Sequence, residues 1–142
     1  MVDVGSGPGF DEEELEALLH EPPSRVVLLD PQRSMLLKGN SSARGGSPPL
    51  WARQRVVGDA ARLPIKDSSV DVLLSLGVLC CIADVAVDDA VRESLRVLHP
   101  GGWVVLGVPR RRGAADEARF RTAGFQPGPR KRAGLAVFRK PL

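Results

Sequence analysis

Three glycines at alternating positions, Gly5, Gly7 and Gly9, follow the short apolar run Met1-Val2-Asp3-Val4 and precede a segment with helical spacing. Glycine has no Cβ, so a strand-to-helix turn built from it lets the backbone approach a nucleotide closely, with the helix N-terminus beyond it. Phe10 stands where a third dinucleotide glycine belongs, so the spacing G-x-G-x-x-G is not met, which argues against a nicotinamide-nucleotide protein. Asp30 ends a second apolar run, Val26-Val27-Leu28-Leu29. It lies about 20 residues past the first glycines, the spacing of a ribose-binding acid. A carboxylate there accepts both ribose hydroxyls. Read blandly, Asp30 starts the helix at Pro31, and the glycines make a tight turn with no ligand.

These residues need elements to position them, and the chain supplies strands and helices in alternation. A helix is expected over Phe10 to His20. Asp11 and Glu14 form its capping box, and Pro22-Pro23 stops it. Strands are expected over Arg25 to Leu29, Arg53 to Gly58, Val70 to Leu76 and Trp103 to Val108. Helices are expected from Pro31 to about Lys38, over Asp88 to Leu98 and over Ala114 to Ala123, the last closed by Gly124. Asn40 to Ala52 reads as loop, and His99-Pro100-Gly101-Gly102 as a hard stop. Phe125-Gln126 and Leu135 to Phe138 are two short strands. The segment between them is too short for a parallel crossover, so they should pair antiparallel. The class is α/β with a mainly parallel sheet.

At 142 residues the chain reads as one domain, residues 1–142, with an aliphatic core, since Tyr is absent and aromatics are 4%. No apolar run approaches the roughly 20 residues of a membrane span. Cys80 and Cys81 are adjacent and make no disulfide framework or zinc-ligand spacing. They read as small, partly buried residues in a reducing, cytoplasmic setting. Charge is uneven: the first 100 residues carry 10 Lys/Arg against 15 Asp/Glu, and residues 101–142 carry 10 against 2. If the fifth and sixth strands run parallel to the first, Arg110–Arg112 and Arg130–Arg132 follow their carboxyl ends. Such clusters attract an anionic acceptor or nucleic acid, or are ordinary solvated loop charge.

Five stretches in order carry a resemblance: Asp3 to Gly9, Val26 to Asp30, Val56 to Pro64, Ser69 to Leu79 and Arg96 to Gly102. Together they resemble the type 11, UbiE-like class I methyltransferases dependent on S-adenosylmethionine (SAM), over residues 2 to about 108 and only loosely beyond. The resemblance implies a Rossmann-like sandwich, with helices on both faces of a seven-stranded sheet of order 3-2-1-4-5-7-6 and strand 7 antiparallel. It implies SAM as cofactor, S-adenosylhomocysteine as product and methyl transfer by in-line displacement to a small-molecule acceptor. Carried over by position, Gly5, Ser6, Gly7 and Gly9 line the methionine part, and Asp3 meets the cofactor amino group directly or through water. Asp30 holds the ribose. Asp59 accepts the adenine amino group, with the Ala60 N–H facing a ring nitrogen, although Asp59 also reads as an Asx turn. The Ser75 carbonyl holds the amino group, and Pro31 and Leu76 are apolar walls. No catalytic residue or metal ligand is named, because alignment of donor and acceptor carries much of this chemistry. The family begins with helices ahead of the glycine turn, whereas here Met1 enters the strand. The expectation is an open pocket, with weak cofactor binding, a partner chain or second copy closing the site, or an upstream start. A methyltransferase-like subunit inactive alone is the alternative.

Overall fold

A computed structural model describes residues 1–8, 24–38, 54–108, 113–129 and 134–142. The expected helix over Phe10 to His20, the loop over Asn40 to Ala52, Gly9 and both arginine clusters lie outside the described residues. Seven strands form one sheet: β1 (Val2–Val4), β2 (Val27–Asp30), β3 (Gln54–Val57), β4 (Val70–Ser75), β5 (Leu98–Gly107), β6 (Gln126–Pro127) and β7 (Leu135–Arg139). Their order is β3-β2-β1-β4-β5-β7-β6. β7 runs antiparallel to both β5 and β6, and the other pairings are parallel. β6 is therefore parallel to β5. Pro127 sits in this edge strand, where a missing N–H is tolerated.

The register explains the apolar runs. Val27, Val2, Leu73, Val104 and Phe138 form one row across five strands. This face packs against α2 (Asp84–Val97) and α3 (Gly113–Thr122) through Val87, Ala90, Val91 and Phe120. Phe120 touches Phe125 and Phe138 at ring centroid distances of 5.2 and 5.5 Å. The opposite face carries the row Leu28, Asp3, Leu74, Val105 and Val137. There Leu28 and Val26 cluster with Leu36 of α1 (Arg33–Lys38). Helices thus cover both faces, and a strand buried on both sides reads as continuous Val and Leu.

Two local readings change. α2 begins at Asp84, one turn before Asp88, because Val87 belongs to the stripe of Ala90, Val91, Ser94 and Val97. His99-Pro100-Gly101-Gly102 does not separate the helix from the strand. β5 starts at Leu98, which pairs with Val70, and the next pair is Val72 with Trp103. Four residues therefore bulge opposite Asp71, and the proline and glycines form that bulge. Among the described residues no helix is long and apolar enough to cross a membrane.

Candidate functional site

The carboxyl ends of β1, β2 and β3 are tied together by backbone and one carboxylate. Gly5 and Ser6 both donate N–H to the Leu29 carbonyl, at 2.7 and 3.1 Å. The Gly7 N–H meets Asp30 Oδ2 at 3.0 Å, and the Gln32 N–H meets Asp30 Oδ1 at 2.8 Å. The Asp30 carbonyl accepts the Gly58 N–H at 3.2 Å. Asp30 caps the turn after β2, in keeping with its reading as a helix-start residue, and it also grips the glycine turn. Each of its oxygens has taken one backbone donor. A carboxylate offers about four lone-pair sites, so about two are left untaken by the described residues.

Gly5 and Gly7 have φ of 70° and 56°, in the left-handed region that favours glycine. A Cβ on Gly5 would lie 2.2 Å from Val78 Cγ2, whereas one on Gly7 would meet only Met35 Cε at 3.9 Å. Among the described residues the turn is therefore closed on the Gly5 side by the segment after β4 and uncrowded at Gly7. Ser6 is buried, and its Oγ has no hydrogen-bond partner among the described residues. An unmet buried hydroxyl costs about 1–3 kcal/mol, so its presence in the turn calls for a polar group that the described residues do not provide.

Asp59 is exposed just past β3, where its Oδ1 accepts the Ala61 N–H at 2.9 Å. This is the Asx turn, and it holds the carboxylate still. Oδ2 of Asp59 and the N–H of the buried Ala60 take no bond among the described residues. An acceptor and a donor thus stand side by side, the pattern that an adenine edge complements. Asp3 is buried in β1, one residue before Val4. Ser75 is buried at the end of β4, Leu76 after it is half-buried, and Pro31 is exposed. The structure thus brings Gly5, Ser6, Gly7, Asp30, Ser75 and Leu76 to adjoining strand ends, with Asp59 and Ala60 beyond β3.

The cysteines depart from expectation. Cys80 and Cys81 are both exposed, because the segment after β4 lies on the sheet's carboxyl edge. Both thiols turn to the Gly77 carbonyl, at 3.1 and 3.2 Å. No cluster of three or more metal-ligating side chains occurs among the described residues.

Sequence alone assigns no role to Glu93, nor to Arg96, which only opens the fifth stretch of the resemblance. Glu93 accepts the Leu63 N–H at 2.7 Å and two bonds from Arg96, each 2.7 Å. Hydrogen bonding from Arg96 pulls the Glu93 carboxyl below its usual range, against the opposing effect of burial. A depressed carboxyl contributes stability above its unfolded value, about pH 4.3, and loses it as pH falls through the folded value. Glu93→Gln is expected to lower Tm by roughly 3–6 °C at pH 7. It should also flatten the loss of Tm between about pH 5 and pH 3. Thermal melts across that range check this, and parallel curves for the two proteins would contradict it.

A family model described as a methyltransferase domain matches residues 2–106. A 37.1 kDa protein in transposon TN4556 of Streptomyces fradiae, named as uncharacterized, is 36% identical over 108 residues, 76% of this chain and 29% of that one. A ubiquinone/menaquinone biosynthesis C-methyltransferase, UbiE, of Rubrivivax gelatinosus is 37% identical over 103 residues, 72% of this chain and 36% of the relative. The chain therefore spans about a third of the length of these relatives. A solved SAM-dependent methyltransferase from Methanosarcina mazei superposes with a TM-score of 0.76, covering 99% of this chain and 92% of its own, at 15% identity. That likeness is one of fold.

Proposed function

The chain belongs to the methyltransferase-domain family, and on that premise we propose that it binds SAM at the carboxyl edge of β1 to β4 and transfers the methyl group to a small-molecule acceptor. When bound, SAM supplies a sulfonium methyl group open to in-line displacement. The chain's own part is to bind and orient. Asp30 accepts the ribose hydroxyls on its remaining lone pairs while its other two hold Gly7 and Gln32 in place. Gly5 to Gly7 face the methionine part, where the Ser6 hydroxyl finds a polar partner. Asp59 and the Ala60 N–H read the adenine edge. Asp3 and the Ser75 carbonyl face the amino group, and Leu76 and Pro31 form apolar walls. Positioning of this kind is enough for a displacement whose acceptor already carries a lone pair, and a general base is needed only for a protonated one.

The observation that carries this reading is Asp30, a buried carboxylate at a strand's carboxyl end that holds the glycine turn and keeps acceptor capacity. The test is formation of S-adenosylhomocysteine from SAM on adding fractionated small-molecule extract. Product that depends on a fraction and disappears in Asp30→Ala supports the reading. A folded chain that binds S-adenosylhomocysteine yet turns over with no fraction contradicts the catalytic half and favours a binding subunit that works only with a partner.

A further inference from the structure

The segment that carries Asp59 and Ala60 runs from Gly58 to Ser69, between β3 and β4, and has no helix or strand of its own. Beside the Gly58 N–H bond to the Asp30 carbonyl and the burial of Ala60 and Leu63, it is held by hydrogen bonds from one short stretch of α2. Glu93 takes the Leu63 N–H at 2.7 Å. Arg96 donates to the Leu63 carbonyl at 2.9 Å, to the Ile65 carbonyl at 2.8 Å and to the Asp67 carboxylate. The carbonyls of Arg96 and Val97 accept the N–H groups of Ser68 and Ser69 at 2.9 and 2.8 Å. Leu63 is thus fixed at both its N–H and its carbonyl, and its side chain is buried, four residues from Asp59. Ser68 keeps a φ of 48°, a conformation that persists only where its surroundings over-determine it.

We propose that Glu93 and Arg96 are positioning residues that set the adenine end of the site, by fixing where the Asp59 carboxylate and the Ala60 N–H stand. The inference rests on the reading of Asp59 given under the proposed function. Neither residue touches the ligand. The planar guanidinium is what the geometry needs, because one fork must reach two carbonyls and two carboxylates at once, and an ammonium on a flexible stem does not hold them together. Glu93 sets that fork with two parallel bonds while its own oxygen holds Leu63. The sharpness with which the site tells an amino group from a carbonyl at the adenine 6-position therefore depends on residues of α2 more than 30 positions along the chain.

The experiment titrates the chain and its variants Arg96→Ala, Arg96→Lys and Glu93→Gln with S-adenosylhomocysteine and with the analogue carrying inosine in place of adenosine. Amide exchange is followed in parallel over residues 60–69 and over β4. In the unaltered chain the inosine analogue should bind about tenfold more weakly, because Asp59 then faces a carbonyl. In Arg96→Ala, S-adenosylhomocysteine should weaken about tenfold and the analogue by less than about twofold, so that discrimination closes. Glu93→Gln and Arg96→Lys should fall between. Exchange over 60–69 should speed up while β4 is unchanged. A folded Arg96→Ala that keeps the discrimination, or equal losses for both ligands that follow Tm, would overturn the proposal in favour of a merely structural ion pair. Unchanged exchange over 60–69 would overturn it too. If the unaltered chain binds neither ligand, the proposed SAM site itself falls and the adenine assignment with it, while the exchange data still decide whether Glu93 and Arg96 hold the segment.

Discussion

Asp30→Ala is expected to weaken S-adenosylhomocysteine binding by roughly 100-fold or more, the largest effect of any single substitution at the site. The carboxylate has two jobs at once. Removing it takes away the charged acceptor for the ribose hydroxyls, each such bond being worth about 1.5–3 kcal/mol. It also leaves the N–H groups of Gly7 and Gln32 without the partners they have at 3.0 and 2.8 Å, so the glycine turn keeps only its backbone bonds to Leu29 as ties to β2. Asp30→Asn separates the two jobs. An amide keeps one oxygen for one backbone N–H and points an NH₂ group at the other. Its effect should lie between those of the unaltered chain and the alanine variant, and Tm should fall in both. Calorimetric titration with S-adenosylhomocysteine, beside thermal melts, measures both consequences. Equal affinity in Asp30→Ala and the unaltered chain would remove Asp30 from the site.

Gly5→Ala is the second large effect, this one on stability. At φ of 70° an L-residue is strained by roughly 1–2 kcal/mol. The added methyl would also stand 2.2 Å from Val78 Cγ2, a contact that must be relieved by moving the segment after β4. Overpacking of this kind costs about 1–3 kcal/mol. The sum is roughly 2–5 kcal/mol, or a Tm lowered by about 10 °C. Val78→Ala removes the obstructing methyls and leaves the backbone strain, so the double variant should recover part of the loss and no more. Full recovery would mean that the left-handed backbone carries no cost here. No loss in Gly5→Ala would mean that the turn is looser than its contacts with Val78 indicate. Gly7→Ala makes the control, because it shares the positive φ but among the described residues its Cβ would meet only Met35 Cε, at 3.9 Å.

These effects separate what the chain states locally from what only packing determines. The glycine turn, Asp30 and the row of aliphatic strands were legible because each depends on spacing within one segment. The sheet order was legible only through the ordered motifs, since nothing in Val26-Val27-Leu28-Leu29 says that β2 lies between β1 and β3. The grip of Glu93 and Arg96 on Leu63 and Ile65 could not be read at all, because the partners stand about 30 positions apart. In sequence they look like an ordinary i, i+3 pair on a solvated helix face. The bulge at His99 to Gly102 was hidden for a similar reason. Proline and two glycines signal a break, and only the pairing of Val70 with Leu98 reveals a strand that continues through it. The exposure of Cys80 and Cys81 follows from where β4 ends, which two small residues in a row do not indicate.

The central claim is a SAM site at the carboxyl edge of β1 to β4, and direct titration of the folded chain with S-adenosylhomocysteine, with NAD as the control ligand, tests it most directly. The account predicts saturable binding in the micromolar range for S-adenosylhomocysteine and none for NAD. No binding of S-adenosylhomocysteine, or binding of NAD in its place, by a chain shown to be folded would contradict it.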